Sequence, residues 1–400
     1  MQHAIQAKNA WLLPDGIEEM LPAEAQCLEN LRNRLLTLFS CWGYELVIPP
    51  FIDFLDSLLT GAGHDLDLQT FKLTDQISGE LLGIRADMTP QVARIDAHNL
   101  KHDWPTRLCY AGTVLHTSGD PLEKSRSPLQ IGAELYGHTG LESDFEVICL
   151  MLEMLALTGL THIHLDLGHV GIYRALAEQA GLSEVQEGEL FAILQRKARP
   201  ELKELLAELT IDTELKALLL KLPELNGDQS ALATTVALFA KAAPEVKQAI
   251  TELQAMIEKL ARRFPALAIS FDLAELRGYH YHTGIVFAAF VPEVGKEIAR
   301  GGRYDNIGEV FGRARAATGF SADLKVLAAL AKRNTPTQAR ELIFAPCLED
   351  TALHEKIREL RSQQQAVVQQ LPGQSGSAKD MGCTAVLEHD HFNWVVKPLA

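Results

Sequence analysis

The sequence predicts an α+β fold, and three observations lead there. Strand-like and helical stretches follow one another without the regular β-α-β-α beat of a parallel sheet. One block, residues 170–264, is Leu/Ala/Glu/Lys-rich and reads as almost wholly helical, interrupted at Pro200, Pro223 and Pro244. A polar stretch containing Thr335, Pro336 and Thr337 then sets a small C-terminal segment apart. The expected division is a core over 1–330 carrying the helical insertion, a linker over 331–339 and an abbreviated α/β segment over 340–400. With 400 residues and 47% hydrophobic content the chain can bury a large core.

The first helix begins at Pro22, with Ala25, Leu28, Leu31, Leu35, Leu36 and Leu38 at roughly helical spacing. A short strand from Tyr44 to Ile48 ends at Pro49-Pro50, which cannot continue a ladder and so points to an edge or an interface. Strands are expected at Leu81 to Ile84, Thr106 to Leu115 and Leu129 to Tyr136, the last two an antiparallel hairpin around the polar loop Thr117 to Pro121. A capping-box pattern, Ser143-x-x-Glu146, opens an apolar helix that stops at Gly159. Strand character returns at Ile163 to Leu167, Leu267 to Leu273 and Gly284 to Phe290; Gly301-Gly302 reads as a turn, and a helix covers Ser321 to Ala331. Beyond the linker the expected elements are a strand at Leu342 to Ala345, a helix at Leu353 to Gln364, and strands at Thr384 to Leu387 and Trp394 to Lys397.

Charge narrows the function. Lys+Arg number 37 against Asp+Glu 52, a formal net charge of −15, which repels a polyphosphate backbone unless basic residues cluster. Six cysteines, Cys27, Cys41, Cys109, Cys149, Cys347 and Cys383, show no zinc-ligand spacing and read as buried thiols. No phosphate-cradling glycine loop, secretory leader or membrane-length apolar run is present. The expectation is a cytoplasmic protein with no metal and no cofactor.

Three stretches taken together resemble the histidyl-tRNA synthetase family: Leu13-Pro14-Asp15-Gly16, Arg277-Gly278-Tyr279-His280-Tyr281-His282-Thr283-Gly284, and Gly301-Gly302-Arg303-Tyr304-Asp305. Their order, and Leu167-Gly168-His169 ahead of the second, extend the resemblance over roughly residues 10 to 330. It implies a class II aminoacyl-tRNA synthetase-like antiparallel sheet flanked by helices. The family's first motif, a helix plus strand that builds a homodimer, falls on Pro22 to Pro50. The second falls on Gly112 to Gly137, where His116 and Ser118 stand in place of the arginine and acidic residue that handle ATP. The third falls on Gly319 to Leu327, where Val326 replaces another arginine.

Adenylate formation needs fixed cations against the charge on a triphosphate, and each lost arginine costs orders of magnitude in rate. Valine offers none, and imidazole lacks the bidentate fork of guanidinium. The amino-acid half, by contrast, is kept. The resemblance places Asp87, Thr89 and Gln130 on the ammonium of histidine, Glu134 on its imidazole and Arg277 on its carboxylate, with Tyr281 and His282 beside them. His280 and His282 depart from the family's acidic residue and second tyrosine. Gln130 and Glu134, four apart on a strand, share one face.

A pocket for histidine without a site for ATP suits a sensor, and the sequence resembles the paralogous family of regulatory subunits of the short-form ATP phosphoribosyltransferase. That resemblance implies a catalytic short-form ATP phosphoribosyltransferase subunit as partner in a hetero-octamer, histidine as effector, self-association through the first motif, and no tRNA or membrane. From Glu341 onward five basic residues face eight acidic ones, which also argues against a tRNA-reading domain. The alternatives left open are a divergent histidine-activating ligase or histidyl-tRNA synthetase, and a stand-alone histidine-binding protein.

Overall fold

The computed structural model describes residues 12–59, 64–119, 125–276, 278–279, 281–334 and 341–399. Arg277, His280, Pro121 and residues 335–340 of the expected linker lie outside them. The chain divides into two compact units, Met1–Thr335 and Pro336–Ala400.

The first unit is built on a nine-stranded sheet. In chain order its strands are β1 (Glu45–Leu46), β5 (Thr106–Thr113), β6 (Leu129–Tyr136), β7 (His164–His169), β8 (Asn226–Asp228), β9 (Ala268–Asp272), β10 (Ile285–Phe290), β11 (Ala299–Arg303) and β12 (Ala317–Asp323). Across the sheet they run β1-β5-β6-β12-β11-β10-β7-β9-β8. Pairing is antiparallel except for β1 with β5 and β7 with β9. The remaining strands, β2 (Ile52–Phe54), β3 (Phe71–Thr74) and β4 (Leu81–Ile84), form a separate antiparallel sheet.

Period-two alternation sorts side chains to the two faces of the large sheet. Ile131, Ala133 and Leu135 point into the main core, where the helix Pro22–Cys41 delivers Leu28, Leu31, Leu35 and Phe39 and the helix Leu141–Ala156 delivers Val147, Met151 and Leu155. Pro22 sits in the first turn, where a missing N–H leaves no bond unmade. Gln130, Gly132, Glu134 and Tyr136 therefore face the other way. On that side Met88, Val92, Leu108, Tyr110, Tyr136, Tyr304 and Ala317 form a smaller cluster. This second face carries the candidate site.

Several expectations need correction. The helix after β6 begins at Leu141 with Gly140 as an uncapped N-cap, so no capping box forms at Ser143. The Ser143 hydroxyl donates to Gly140 O (2.8 Å), and Glu146 instead takes the Arg107 guanidinium (2.7 Å). Gly301 and Gly302 do not turn; they lie inside β11, where a Cβ on Gly301 would fall 2.1 Å from Gly319 O. Close strand approach, not a bend, excludes a side chain there. The helix expected from Ser321 starts at Leu324, because Ala317 to Asp323 pair with β6 and β11 as a strand. The strand expected from Tyr44 shrinks to Glu45–Leu46.

The insertion is not wholly helical, since β8 extends the large sheet at its edge. Pro200 and Pro244 stand in the first turns of helices Arg199–Glu208 and Pro244–Arg263. Cys41 and Cys347 are exposed, against the expectation of buried thiols, while Cys109, Cys149 and Cys383 are buried. The helix Leu324–Asn334 runs into the stretch read as linker.

The second unit is a four-stranded sheet, β14-β13-β15-β16, made of β13 (Leu342–Ala345), β14 (Ala366–Gln369), β15 (Ala385–Asp390) and β16 (Asn393–Pro398). β14 was not expected from the sequence; it pairs in parallel with β13. One helix, Thr351–Ser362, is capped by the Asp350 carboxylate, and its Leu353, Ile357 and Leu360 pack with Ile343, Val367, Leu387 and Trp394.

Candidate functional site

The site grows from the turn after β4. Arg85 is buried, and its guanidinium donates to Thr113 O (2.9 Å) and Pro49 O (2.7 Å), which pins the turn against β5. Asp87 follows, and Thr89 opens the helix Thr89–Arg94. Asp87 Oδ1 accepts from Thr89 N–H (3.0 Å), an Asx-type turn, and from Gln130 Nε2 (2.8 Å). Gln130 Oε1 in turn accepts the Met88 N–H at 2.9 Å. Residues 43 apart in sequence are thus locked into one amide-carboxylate unit.

Glu134 lies deeper, 1% exposed. Its Oε1 accepts from Tyr110 (2.9 Å), and its Oε2 from the hydroxyl of Tyr304. Thr89 Oγ1 is 3.2 Å from Glu134 Oε1 and 3.1 Å from Asp87 Oδ1, and its single proton serves one carboxylate at a time. Burial pushes the Glu134 carboxyl up to about 8 and the nearby Asp87 charge adds to this, while the hydroxyls of Tyr304, Tyr110 and Thr89 oppose it. Room for this carboxylate exists because Gly319, directly across on β12, has no side chain: a Cβ there would fall 1.5 Å from Glu134 Oε2.

Tyr281 and His282 complete this half. Tyr281 stacks on Tyr304 with ring centroids 4.9 Å apart, and its shielded hydroxyl has no hydrogen-bond partner among the described residues. An unsatisfied buried hydroxyl costs roughly 1–3 kcal/mol, which a ligand nitrogen would recover. His282 Nδ1 sits 3.2 Å from Arg303 O, so it donates there. Desolvation lowers the His282 imidazole to about 4; the Arg303 carbonyl opposes this, the Arg300 charge adds to it and Asp87 opposes it. His282 is thus a neutral, carbonyl-anchored ring at neutral pH.

The structure brings together Asp87, Thr89, Gln130 and Glu134, with Tyr281 and His282 alongside; Arg277 lies outside the described residues. Tyr110 and Tyr304 were missed by sequence reasoning. The signal for Tyr304 was in the Gly301-Gly302-Arg303-Tyr304-Asp305 stretch itself. Tyr110 lies opposite Gly132 on β5, a register that only the paired strands reveal.

His116, Ser118 and Val326, where the resemblance implied losses, form no comparable constellation. His116 Nε2 donates to Ala86 O (2.9 Å), steadying the backbone beside Asp87. Ser118 is exposed. Val326 packs its partly buried side chain against the main core. These three positions hold a structural imidazole, an exposed hydroxyl and an aliphatic side chain.

Residues 16–327 match the histidyl-tRNA synthetase family, and residues 340–397 match the family described as the ATP phosphoribosyltransferase subunit HisZ C-terminal domain. An ATP phosphoribosyltransferase regulatory subunit of Methylococcus capsulatus is 57% identical, covering 98% of this chain and 97% of that one. The chain belongs to the family of ATP phosphoribosyltransferase regulatory subunits. A relative of the same description from Pseudomonas aeruginosa is 55% identical over 98% of this chain and 99% of its own length. Among solved structures, a Bacillus halodurans protein described as an ATP phosphoribosyltransferase regulatory subunit/histidyl-tRNA synthetase is similar with a TM-score of 0.82 and 28% identity, covering 94% of this chain and 97% of that one. A Nostoc histidyl-tRNA synthetase, 18% identical with a TM-score of 0.75 over 94% of this chain and 91% of its own, shares the fold. The family thus keeps the class II sheet that the sequence implied, with a C-terminal unit of its own kind.

Proposed function

We propose that this chain, a regulatory subunit of ATP phosphoribosyltransferase by family, senses histidine in the pocket built by Asp87, Thr89, Gln130, Glu134, Tyr281 and His282, and passes that occupancy to a catalytic subunit. The observation that carries the reading is the asymmetry of the site. One half is a hydrogen-bonded cage of two carboxylates and an amide, and it includes the unpartnered Tyr281 hydroxyl. The other half carries His116 and Val326 where the resemblance implies arginines, and Ser118 where it implies an acidic residue. Such a pocket binds an amino acid without consuming it.

The ammonium of the ligand would replace a hydrogen-bond donor at Asp87, and its imidazole would meet Glu134 and Tyr281. Arg277 would take the carboxylate, as the family resemblance implies. Feedback then requires histidine to bind the two arrangements of the complex with different affinity, a coupling of roughly 1–3 kcal/mol. The complex is read as a cytoplasmic hetero-octamer with the short-form catalytic subunit. Self-association through the first motif is supported by Leu46, Ile48, Phe51, Ile52 and Phe54, which are 41–80% exposed along and after the edge strand β1, more apolar surface than a lone monomer usually leaves open. A tRNA partner is disfavoured by the charge of the chain and of its last 60 residues.

The test is co-purification with the catalytic subunit, followed by its activity with and without histidine. Activity should depend on this chain, and histidine should suppress it in the wild type but not in Asp87→Ala or Glu134→Ala. Feedback that survives both substitutions would put histidine elsewhere. Histidine-dependent exchange of pyrophosphate into ATP by the purified chain would replace the sensor with a ligase.

A further inference from the structure

The strand register puts one cation on the pocket face that the resemblance did not assign. Glu134 pairs across β12 with Gly319, which pairs across β11 with Gly302; one pleat further along, Gly132 pairs with Ser321 and Ser321 with Arg300. Residues directly opposite on neighbouring strands share a face, so Arg300 stands on the same face as Gln130, Gly132 and Glu134. Two strand spacings, about 10 Å, separate it from Gly132. The glycines at 132, 302 and 319 make room for the Tyr110 hydroxyl, the His282 ring and the Glu134 carboxyl group, and Ser321 between Gly132 and Arg300 is small.

Arg300 is available for a ligand. Its side chain is 66% exposed and forms an i,i+3 ion pair with Glu297 at 3.1 Å; a pair with so exposed a cation is worth little and easily exchanged. Its charge already reaches the pocket, since it holds the His282 imidazole further down. Asp87 and Glu134 supply acceptors for the ammonium and imidazole of an amino acid, but neither can receive its carboxylate. Among the described residues, other cations near this end are committed: Arg85 to the carbonyls of Thr113 and Pro49, Arg126 to the carbonyls of His116 and Asp15, and Lys325 to Ser127.

We infer that Arg300 swings from Glu297 to take the α-carboxylate of the bound amino acid, and so makes the pocket select a free amino acid over its decarboxylated or reduced forms. This rests on the histidine-sensing reading and gives to Arg300 the carboxylate that the family resemblance gives to Arg277. The guanidinium fork suits a carboxylate bidentately, and a charge-assisted bond to the ligand would replace the one given up at Glu297, whose side chain is 20% exposed.

Calorimetry with L-histidine and with histidinol, in which an alcohol replaces the carboxylate, tests it on the wild type, Arg300→Gln and Arg277→Gln. The wild type should prefer histidine to histidinol by at least tenfold. Arg300→Gln should weaken histidine binding roughly 10- to 100-fold, the worth of a charged hydrogen bond, and leave histidinol within twofold. Arg300→Lys should recover part of the preference. A histidine affinity unchanged in Arg300→Gln, or equal losses for both ligands, overturns the inference while the sensing pocket stands. Loss of the preference in Arg277→Gln alone gives the carboxylate to Arg277 and likewise overturns it. No saturable heat from either ligand in the wild type removes the sensing pocket, and this inference with it.

Discussion

On the proposed reading, the two halves of the inherited site have met different fates on the same sheet. In the amino-acid half the two carboxyl groups are each held by several partners: Glu134 by Tyr110, Thr89 and Tyr304, and Asp87 by Gln130 and Thr89. In the nucleotide half the substituted residues serve the scaffold, with His116 bracing Ala86 and Val326 filling space against the core. Buried polar groups are costly when unpaired, so a cage like that around Glu134 changes only as a unit. An exposed cation site has no such constraint, and its loss leaves the fold intact. On the proposed reading nucleotide handling is separable from the pocket, and His116 braces the backbone beside Asp87.

The sharpest way to break this contrast is Glu134→Ala. Three hydroxyls would lose their acceptor inside a new void, so urea unfolding should show a loss of about 2–4 kcal/mol, and calorimetry a fall in histidine affinity of more than about 100-fold. Wild-type affinity in that variant would end the claim that the amino-acid half is the retained one. Next is Gly319→Ala. Its methyl would occupy the place of Glu134 Oε2, and we expect a stability loss of about 1–3 kcal/mol with at least a tenfold loss of binding, whereas a silent change would mean that the carboxylate is not held as described.

A third probe is pH. The carboxyl of Glu134 is raised in the folded chain to about 8 from an ordinary 4.5, so folding favours its protonated form. Its contribution is fully present below the unfolded value and is lost as pH rises through the folded one. Between roughly pH 4.5 and 8 wild-type stability should fall by up to about 1.4 kcal/mol per unit relative to Glu134→Gln, read from urea midpoints. Parallel curves for the two proteins would contradict a buried, protonated Glu134.

The smallest effect is expected on the nucleotide side. Restoring cations with His116→Arg and Val326→Arg should cost about 1 kcal/mol, by removing the Ala86 contact and disturbing packing. It should yield no histidine-dependent pyrophosphate exchange, because Ser118 and the rest of that half stay unsuited. Exchange in the double variant would show that two arginines were the whole difference.

How much of this was legible differs from element to element. The strand Leu129–Tyr136 and the helix start at Pro22 were readable because alternation and proline chemistry act within a few residues. β12 and the placement of Gly301 and Gly302 were not, since glycine in a crowded sheet and glycine in a turn look alike along the chain. The short β8 was likewise hidden, being held by its pairing with β9. In the site, Asp87, Thr89, Gln130 and Glu134 were named from the motif pattern, but the hydroxyls of Tyr110 and Tyr304 on Glu134 depend on strands more than 20 residues apart.

By itself the sequence determined the chemical inventory: carboxylates and an amide at 87, 134 and 130, and no guanidinium at 116 or 326. Identity of this kind is local, and no fold can alter it. Only the tertiary structure decided that Glu134 is closed off from water by three hydroxyls, that His116 holds a backbone carbonyl, and that Arg300 shares the pocket face. Those properties arise from desolvation and strand register, which are set by neighbours distant along the chain.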